Sequence, residues 1–263
     1  MKILIVVDMQ NDFIDGSLGT PEAQAIIPKV KEKIEEYRKN NYPILFTRDT
    51  HYENYLETQE GKNLPIKHCI KETEGWKIKE DLDCLDCAHV NKESFGWDFW
   101  GITLDPFYTD IKDIEEIELV GVCTDICVVS NALILKSQFP ETKITVDASC
   151  CAGTTVENHK AALKVMKSCQ VNVINGKKEF DWEKFIKNQN IAVHCATEKE
   201  AENFCNQMDK RGLKWFSGRS YLEEINWNIY EENTVYYSEG TFGNINHAKN
   251  SNDKILIWSD YME

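Results

Sequence analysis

The chain is predicted to be an α/β protein: a three-layer parallel sheet with helices on both faces, followed by a small C-terminal α+β domain. Three observations predict this. Short apolar runs near residues 2–8, 42–47, 117–122, 143–147 and 171–175 alternate with stretches of helical period, and parallel strands need such crossovers between them. At 263 residues and 42% hydrophobic content, the chain can build one medium and one small core. After Asn175 the pattern restarts with its own caps and aromatic residues, so the domains are expected at 1–176 and 177–263.

Taken in order, residues 2–8 form an apolar strand ending in Asp8, and a turn around Asp15-Gly16 and Gly19 leads to a helix from about Pro21 to Lys39. Its stripe is Ile26, Ile27, Val30, Ile34 and Tyr37. Tyr42–Thr47 is a second strand, followed by Arg48-Asp49-Thr50-His51 and then by an irregular stretch from Tyr52 to Trp76 that carries Glu60 and His68. Val90 and Asn91 end a short strand before Lys92, and Trp97–Pro106 is aromatic loop or short helix. The buried strand Ile117–Val122 runs through Gly121 into a helix from Asp125 to Lys136, with Thr124 and Asp125 as cap candidates. Lys143–Asp147, a helix over Thr154–Ser168, and Val171–Asn175 complete the alternation.

Composition excludes several functions. Thirty basic against 44 acidic residues give a net charge of −14, which disfavours nucleic acid and anionic membrane surfaces as partners. No apolar run approaches the roughly 20 residues of a membrane span. The apolar start Met1–Val7 is too short for a secretion signal and is read as strand one, so the expected location is cytoplasmic. The ten cysteines are accordingly expected to be reduced thiols rather than a disulfide framework. Cys84-x-x-Cys87 has no second pair at zinc-ligand spacing.

In open parallel sheets ligands bind beyond the carboxyl ends of the strands. Asp8, Asp49 with His51, Lys92 and Cys127 all fall at or just past such ends. Cys127 lies on the first turn of a helix, where free N–H groups and the macrodipole are expected to draw a thiol from about 8.5 toward neutrality. Those N–H groups could equally hold an oxyanion.

Asp8-Met-Gln-Asn-Asp-Phe13, Asp49-Thr-His51, Lys92 before Ser94-Phe95, and Gly121-Val-Cys-Thr-Asp-Ile-Cys127 together resemble the isochorismatase-like cysteine hydrolases, and within them the nicotinamidases, over about residues 1–175. The resemblance implies an Asp8, Lys92, Cys127 triad that hydrolyses a small linear amide through a thioester, converting nicotinamide to nicotinate and ammonia, a step of NAD salvage. It also implies a cis peptide between Val122 and Cys123 and an oxyanion hole from the backbone amides of Cys123 and Cys127. Phe13 and Trp97 are the implied substrate-binding aromatics. Asp49, His51, Glu60 and His68 are the implied ligands of a divalent metal, with Zn²⁺ expected and Fe²⁺ or Mn²⁺ also suited to carboxylate and imidazole donors.

Two features depart from the nicotinamidases. Leu64-Pro-Ile-Lys-His68 lacks the aromatic residue that walls the ring in many of them, and Cys123 stands where a small residue such as Ala is usual. Two alternatives therefore stay open: a related cysteine hydrolase of another small amide, and a non-catalytic regulatory protein with a vestigial site. The implied partner is a small-molecule amide, and a homo-oligomer is left open. Beyond Asn175, a helix at Asp181–Asn188, a strand at Ile191–Cys195, a capped helix from Thr197 to Arg211 with Gly212 beyond it, and strands at Val235–Ser238 and Lys254–Trp258 are expected. Trp215, Trp227, Tyr236, Tyr237 and Trp258 are read as that domain's core.

Overall fold

Alternation of side chains along the first strand divides the larger core in two. In this computed structural model, which describes residues 1–84, 87–107, 113–176 and 180–262, β1 (Lys2–Val7) buries every residue after Lys2. Ile3, Ile5 and Val7 pack into one apolar cluster and Leu4 and Val6 into another. A strand covered on both faces is the signature of a central parallel strand. The described chain falls into two compact units, Met1–Gly176 and Lys177–Glu263.

In the first unit, β1 leads to the short α1 (Asn11–Ile14), α2 (Pro21–Ala25) and α3 (Ile27–Lys39). The single helix expected over 21–39 is thus two. Pro28 sits in the first turn of α3, where its missing N–H costs nothing, and it marks a new helix start instead of continuing α2. β2 (Ile44–Asp49), α4 (Gln59–Asn63), β3 (Ala88–Lys92) and α5 (Trp100–Leu104) follow, then β4 (Glu116–Val122). A π-helical turn over Thr124–Val128 precedes α6 (Val129–Gln138), β5 (Lys143–Ala152), α7 (Val156–Ser168) and β6 (Asn172–Ile174). The six strands form one parallel sheet in the order β3-β2-β1-β4-β5-β6. Leu135 of α6 and Met166 of α7 close one face, and Val30 and Ile34 of α3 the other.

In the second unit, α8 (Trp182–Lys187), β7 (Ile191–His194) and α9 (Glu198–Lys210) precede β8 (Thr234–Tyr236), β9 (Phe242–Asn244), α10 (Ile245–Asn250) and β10 (Lys254–Ile257). The sheet order is β10-β7-β8-β9, with β10 parallel to β7 and the other pairings antiparallel. Thr197 caps α9 by accepting the Glu200 amide, and Gly212 follows the helix with φ of 72°. β9 and α10 were not expected, since three residues centred on a glycine carry no readable period. Trp215, Tyr236 and Trp258 are buried in one cluster with Trp227 against it, while Tyr237 packs on a smaller one.

The cysteines depart from expectation at one place. Cys84 and Cys87 are joined in a disulfide, their Cα atoms 5.3 Å apart. This is a local clip and not a framework, and the other eight cysteines are free. Among the described residues no helix is long and apolar enough to cross a membrane.

Candidate active site and metal cluster

The strand order reverses between β1 and β4, the position at which a doubly wound sheet opens a crevice at its carboxyl edge. Asp8 follows β1 with φ of 48°, an uncommon conformation for a residue with a side chain. Asp49 and Lys92 end β2 and β3 and are register partners. Gly121 has φ of 120°, and a Cβ there would lie 2.1 Å from the Val7 carbonyl oxygen, so only glycine lets β4 approach β1 this closely. The peptide between Val122 and Cys123 is cis. Cys127 then rides on a wide π turn where an α-helical start was expected.

These elements bring the three triad candidates together out of solvent. Lys92 is fully buried, with Nζ 2.7 Å from Asp8 Oδ2, 3.1 Å from Asp49 Oδ1 and 3.4 Å from Cys127 Sγ. Asp8 Oδ1 accepts a 2.6 Å hydrogen bond from the Thr47 hydroxyl. Asp8 Oδ2 has no aligned hydrogen bond, so its contact with Lys92 is an ion pair off the hydrogen-bonding direction. That oxygen keeps a lone pair free to accept a proton.

Burial, reinforced by the Asp49 carboxylate, pushes the Asp8 carboxyl up, against the pull of Lys92. For Lys92 burial works toward discharge, but Asp8, Cys127 and Asp49 outweigh it and hold the ammonium well above an ordinary lysine. The Cys127 thiol behaves opposite to the helix-start expectation. Loss of water pushes it well above its ordinary value, and Asp8 and Asp49 add to that, with Lys92 opposing. A dipole effect confined to one turn is smaller than the desolvation of a thiolate at a buried position. A thiol so placed keeps its proton, and to act as a nucleophile it would need a neighbouring base.

The implied metal ligands also converge. One donor atom from each of Asp49, His51, Glu60 and His68 lies within 4.8 Å of the others. His51 Nε2 is 2.8 Å from Asp49 Oδ2 and 3.5 Å from Glu60 Oε1, yet it is buried with no aligned hydrogen bond. His68 Nδ1 lies 2.8 Å from the Ile66 carbonyl, which fixes the proton there and turns the Nε2 lone pair toward the carboxylates. Burial works against an ionised Asp49, but Lys92, His51 and His68 outweigh it and hold the carboxyl well below the usual range. Two imidazoles and two carboxylates with an orphaned ring nitrogen suit a divalent ion.

A pocket of about 870 Å³ opens over both groups, within the size range of small-molecule sites. Phe13 lines it and sits 5.5 Å, ring to ring, from His68. Trp97 does not line it. Its indole donates to the Thr103 hydroxyl and it packs on the main core, while Phe95 takes the wall position. The turn over Ser94–Gly96, held by the Ser94 hydroxyl on the Gly96 carbonyl, separates the two aromatics.

Two supporting residues escaped the sequence reading. Gln10 is fully buried and clasps the backbone of Asp49, donating to its carbonyl at 2.8 Å and accepting its amide at 2.7 Å. Asn131, also fully buried, donates to the carbonyls of Cys127 and Phe95 and accepts from the Trp97 amide and the Trp100 indole. Asn131 shows in sequence only as a polar residue inside an apolar helix, and Gln10 as one of several polar residues after the first strand.

Residues 2–178 match the family model of the isochorismatase domain. Nicotinamidase of Saccharomyces cerevisiae is 25% identical over 217 residues, spanning 66% of this chain and 100% of that protein. Nicotinamidase/pyrazinamidase of Mycobacterium tuberculosis is 25% identical over 186 residues, spanning 66% and 98%. Among solved structures, pyrazinamidase of Pyrococcus horikoshii in complex with zinc matches with a TM-score of 0.57 and 29% identity over 66% of this chain and 99% of its own. Pyrazinamidase/nicotinamidase of Streptococcus mutans matches with a TM-score of 0.57 and 27% identity, over 66% and 100%.

Proposed function

Since the chain belongs to the isochorismatase family, we propose that its first unit is a metal-dependent, nicotinamidase-like amide hydrolase that converts nicotinamide to nicotinate and ammonia. The observation that carries the reading is the buried Lys92 ammonium, which touches the Asp8 carboxylate, the Cys127 thiol and the Asp49 end of the metal cluster at once. A divalent ion held by Asp49, His51, Glu60 and His68 would supply a Lewis-acidic point that fixes a ring nitrogen and so orients the amide.

Asp8 Oδ2 takes the Cys127 proton as sulfur attacks the amide carbonyl, and Lys92 stabilises the negative charge shared between them. The backbone amides of Cys123 and Cys127 receive the oxyanion. Asp8 returns the proton to the departing nitrogen, the C–N bond breaks to release ammonia, and the acyl group remains on Cys127 as a thioester. Water then attacks, Asp8 takes its proton, and the thiol is restored as the carboxylate product forms. A raised Asp8 pKa helps both halves, since it makes the carboxylate a stronger base.

A second reading, hydrolysis of another small amide, is favoured by a pocket larger than one ring amide needs and by Leu64 in its wall near where the usual ring-stacking aromatic is missing. The test is ammonia release from nicotinamide, pyrazinamide and aliphatic amides by the zinc-loaded protein and its Cys127→Ala and Cys123→Ala variants. The Cys127 change should lower kcat at least about 10³-fold and the Cys123 change leave most activity. No turnover of nicotinamide, or a harmless Cys127→Ala, would sink the proposal.

A further inference from the structure

Asp49, Glu60 and Glu93 line the pocket, and among the described residues no lysine or arginine does. A divalent ion would balance Asp49 and Glu60, and Lys92 already balances Asp8 beneath the floor. The charge left over is Glu93. It follows Lys92 directly, stands in the exposed wall beside Ser94 and Phe95, and is held there by the Tyr52 hydroxyl, which donates to Oε1 at 2.7 Å. A fixed carboxylate at the edge of a largely apolar pocket attracts cations, ignores neutral molecules and repels anions.

We propose that Glu93 is a specificity-determining residue that turns anionic amides away from the site and weakens its hold on the carboxylate product. The proposal rests on the amide-hydrolase reading, since that chemistry turns a neutral ligand into an anion in the same pocket. The same field would exclude amides that already carry a carboxylate. Glu93 touches no reacting atom and acts through space, so its effect must be screened by salt.

The test measures binding, which separates it from turnover. In zinc-loaded Cys127→Ala protein, calorimetric Kd values are compared for neutral and anionic pairs: nicotinamide with nicotinate, pyrazinamide with pyrazinoate, and benzamide with benzoate. Adding Glu93→Gln should tighten the carboxylates about five- to tenfold relative to their amides at low salt, the size expected of one partly screened charge. The difference should shrink toward unity in 0.5 M salt. An unchanged acid-to-amide ratio, a change that ignores salt, or no measurable binding of any pair overturns the proposal. Failure of nicotinamide turnover in the wild type would instead count against the amidase reading alone.

Discussion

Replacing Asn131 by Ala removes a side chain whose four hydrogen-bonding positions are all in use. The Trp100 indole N–H and the Cys127 carbonyl lose buried partners, while the Trp97 amide and Phe95 carbonyl are partly buried and can be reached by water. A stranded buried polar group costs roughly 1–3 kcal/mol and a re-solvated one much less, so the sum expected is about 3–4 kcal/mol of stability. Urea unfolding followed by Trp fluorescence should show a lower midpoint with an unchanged slope. The same side chain ties the π turn under Cys127 to the wall at Phe95, so kcat/KM should fall about 10²-fold beyond any loss of folded protein. Asn131→Asp retains the acceptor but buries a charge, and it should not rescue. A midpoint within about 1 kcal/mol of wild type would mean that these contacts do not hold the turn, and the positioning argument would be refuted.

Other outcomes follow from the same geometry. His51→Ala or His68→Ala should strip the divalent ion, measured by elemental analysis, while leaving a thiol that still reacts with a small alkylating agent; full metal content in both would remove the ligand set. Gln10→Ala frees the Asp49 backbone and should weaken zinc affinity about 10-fold or more, read by chelator competition. Glu116 tests acid stability: burial opposes its ionisation, but hydrogen bonds from Thr145, Lys143 and Lys2 bring it down to about 2. Its contribution is present above its ordinary value near 4.5 and is lost as pH falls toward 2. The full shift is worth about 3 kcal/mol, and screening of the half-exposed lysines lowers this to about 1–2. Glu116→Gln should therefore reduce stability at pH 6 and match wild type near pH 2, and equal loss at both would refute the linkage. A chain ending at Gly176 should fold and keep its kcat/KM, since Asp8, Asp49, Lys92 and Cys127 precede that point; loss of activity at unchanged mass would assign the remainder to the site.

What could be read from sequence was governed by how local each signal is. β1 and β4 announce themselves because every residue after the first in β1, and every residue in β4, must be apolar enough to bury or be paired, and their ends then place Asp8 and Cys127 by length alone. Pro28 was equally visible, but its effect depends on whether the preceding turn continues, and the apolar stripe running through Ile26 and Ile27 hid the break. Trp97 and Phe95 differ by two residues, and nothing local decides which faces the pocket. That choice is made by Asn131, 34 residues away, which accepts the Trp97 amide.

The Cys127 proton shows the same limit in chemical form. A helix start is a local feature and argues for a thiolate, whereas enclosure is set by the whole fold and argues for a thiol. Here enclosure prevails, and it changes the mechanism more than the placement. An already ionised sulfur would need no partner, and the Asp8 carboxylate beside it would only raise the cost of a second charge. In the proposed hydrolysis, a protonated sulfur beside a buried, up-shifted Asp8 would instead make proton transfer part of the attack, with the Lys92 ammonium near enough to both groups to stabilise the negative charge as it passes from oxygen to sulfur. Lys92→Met should then do more harm than the loss of one ion pair, because it leaves Asp8 as an uncompensated buried carboxylate.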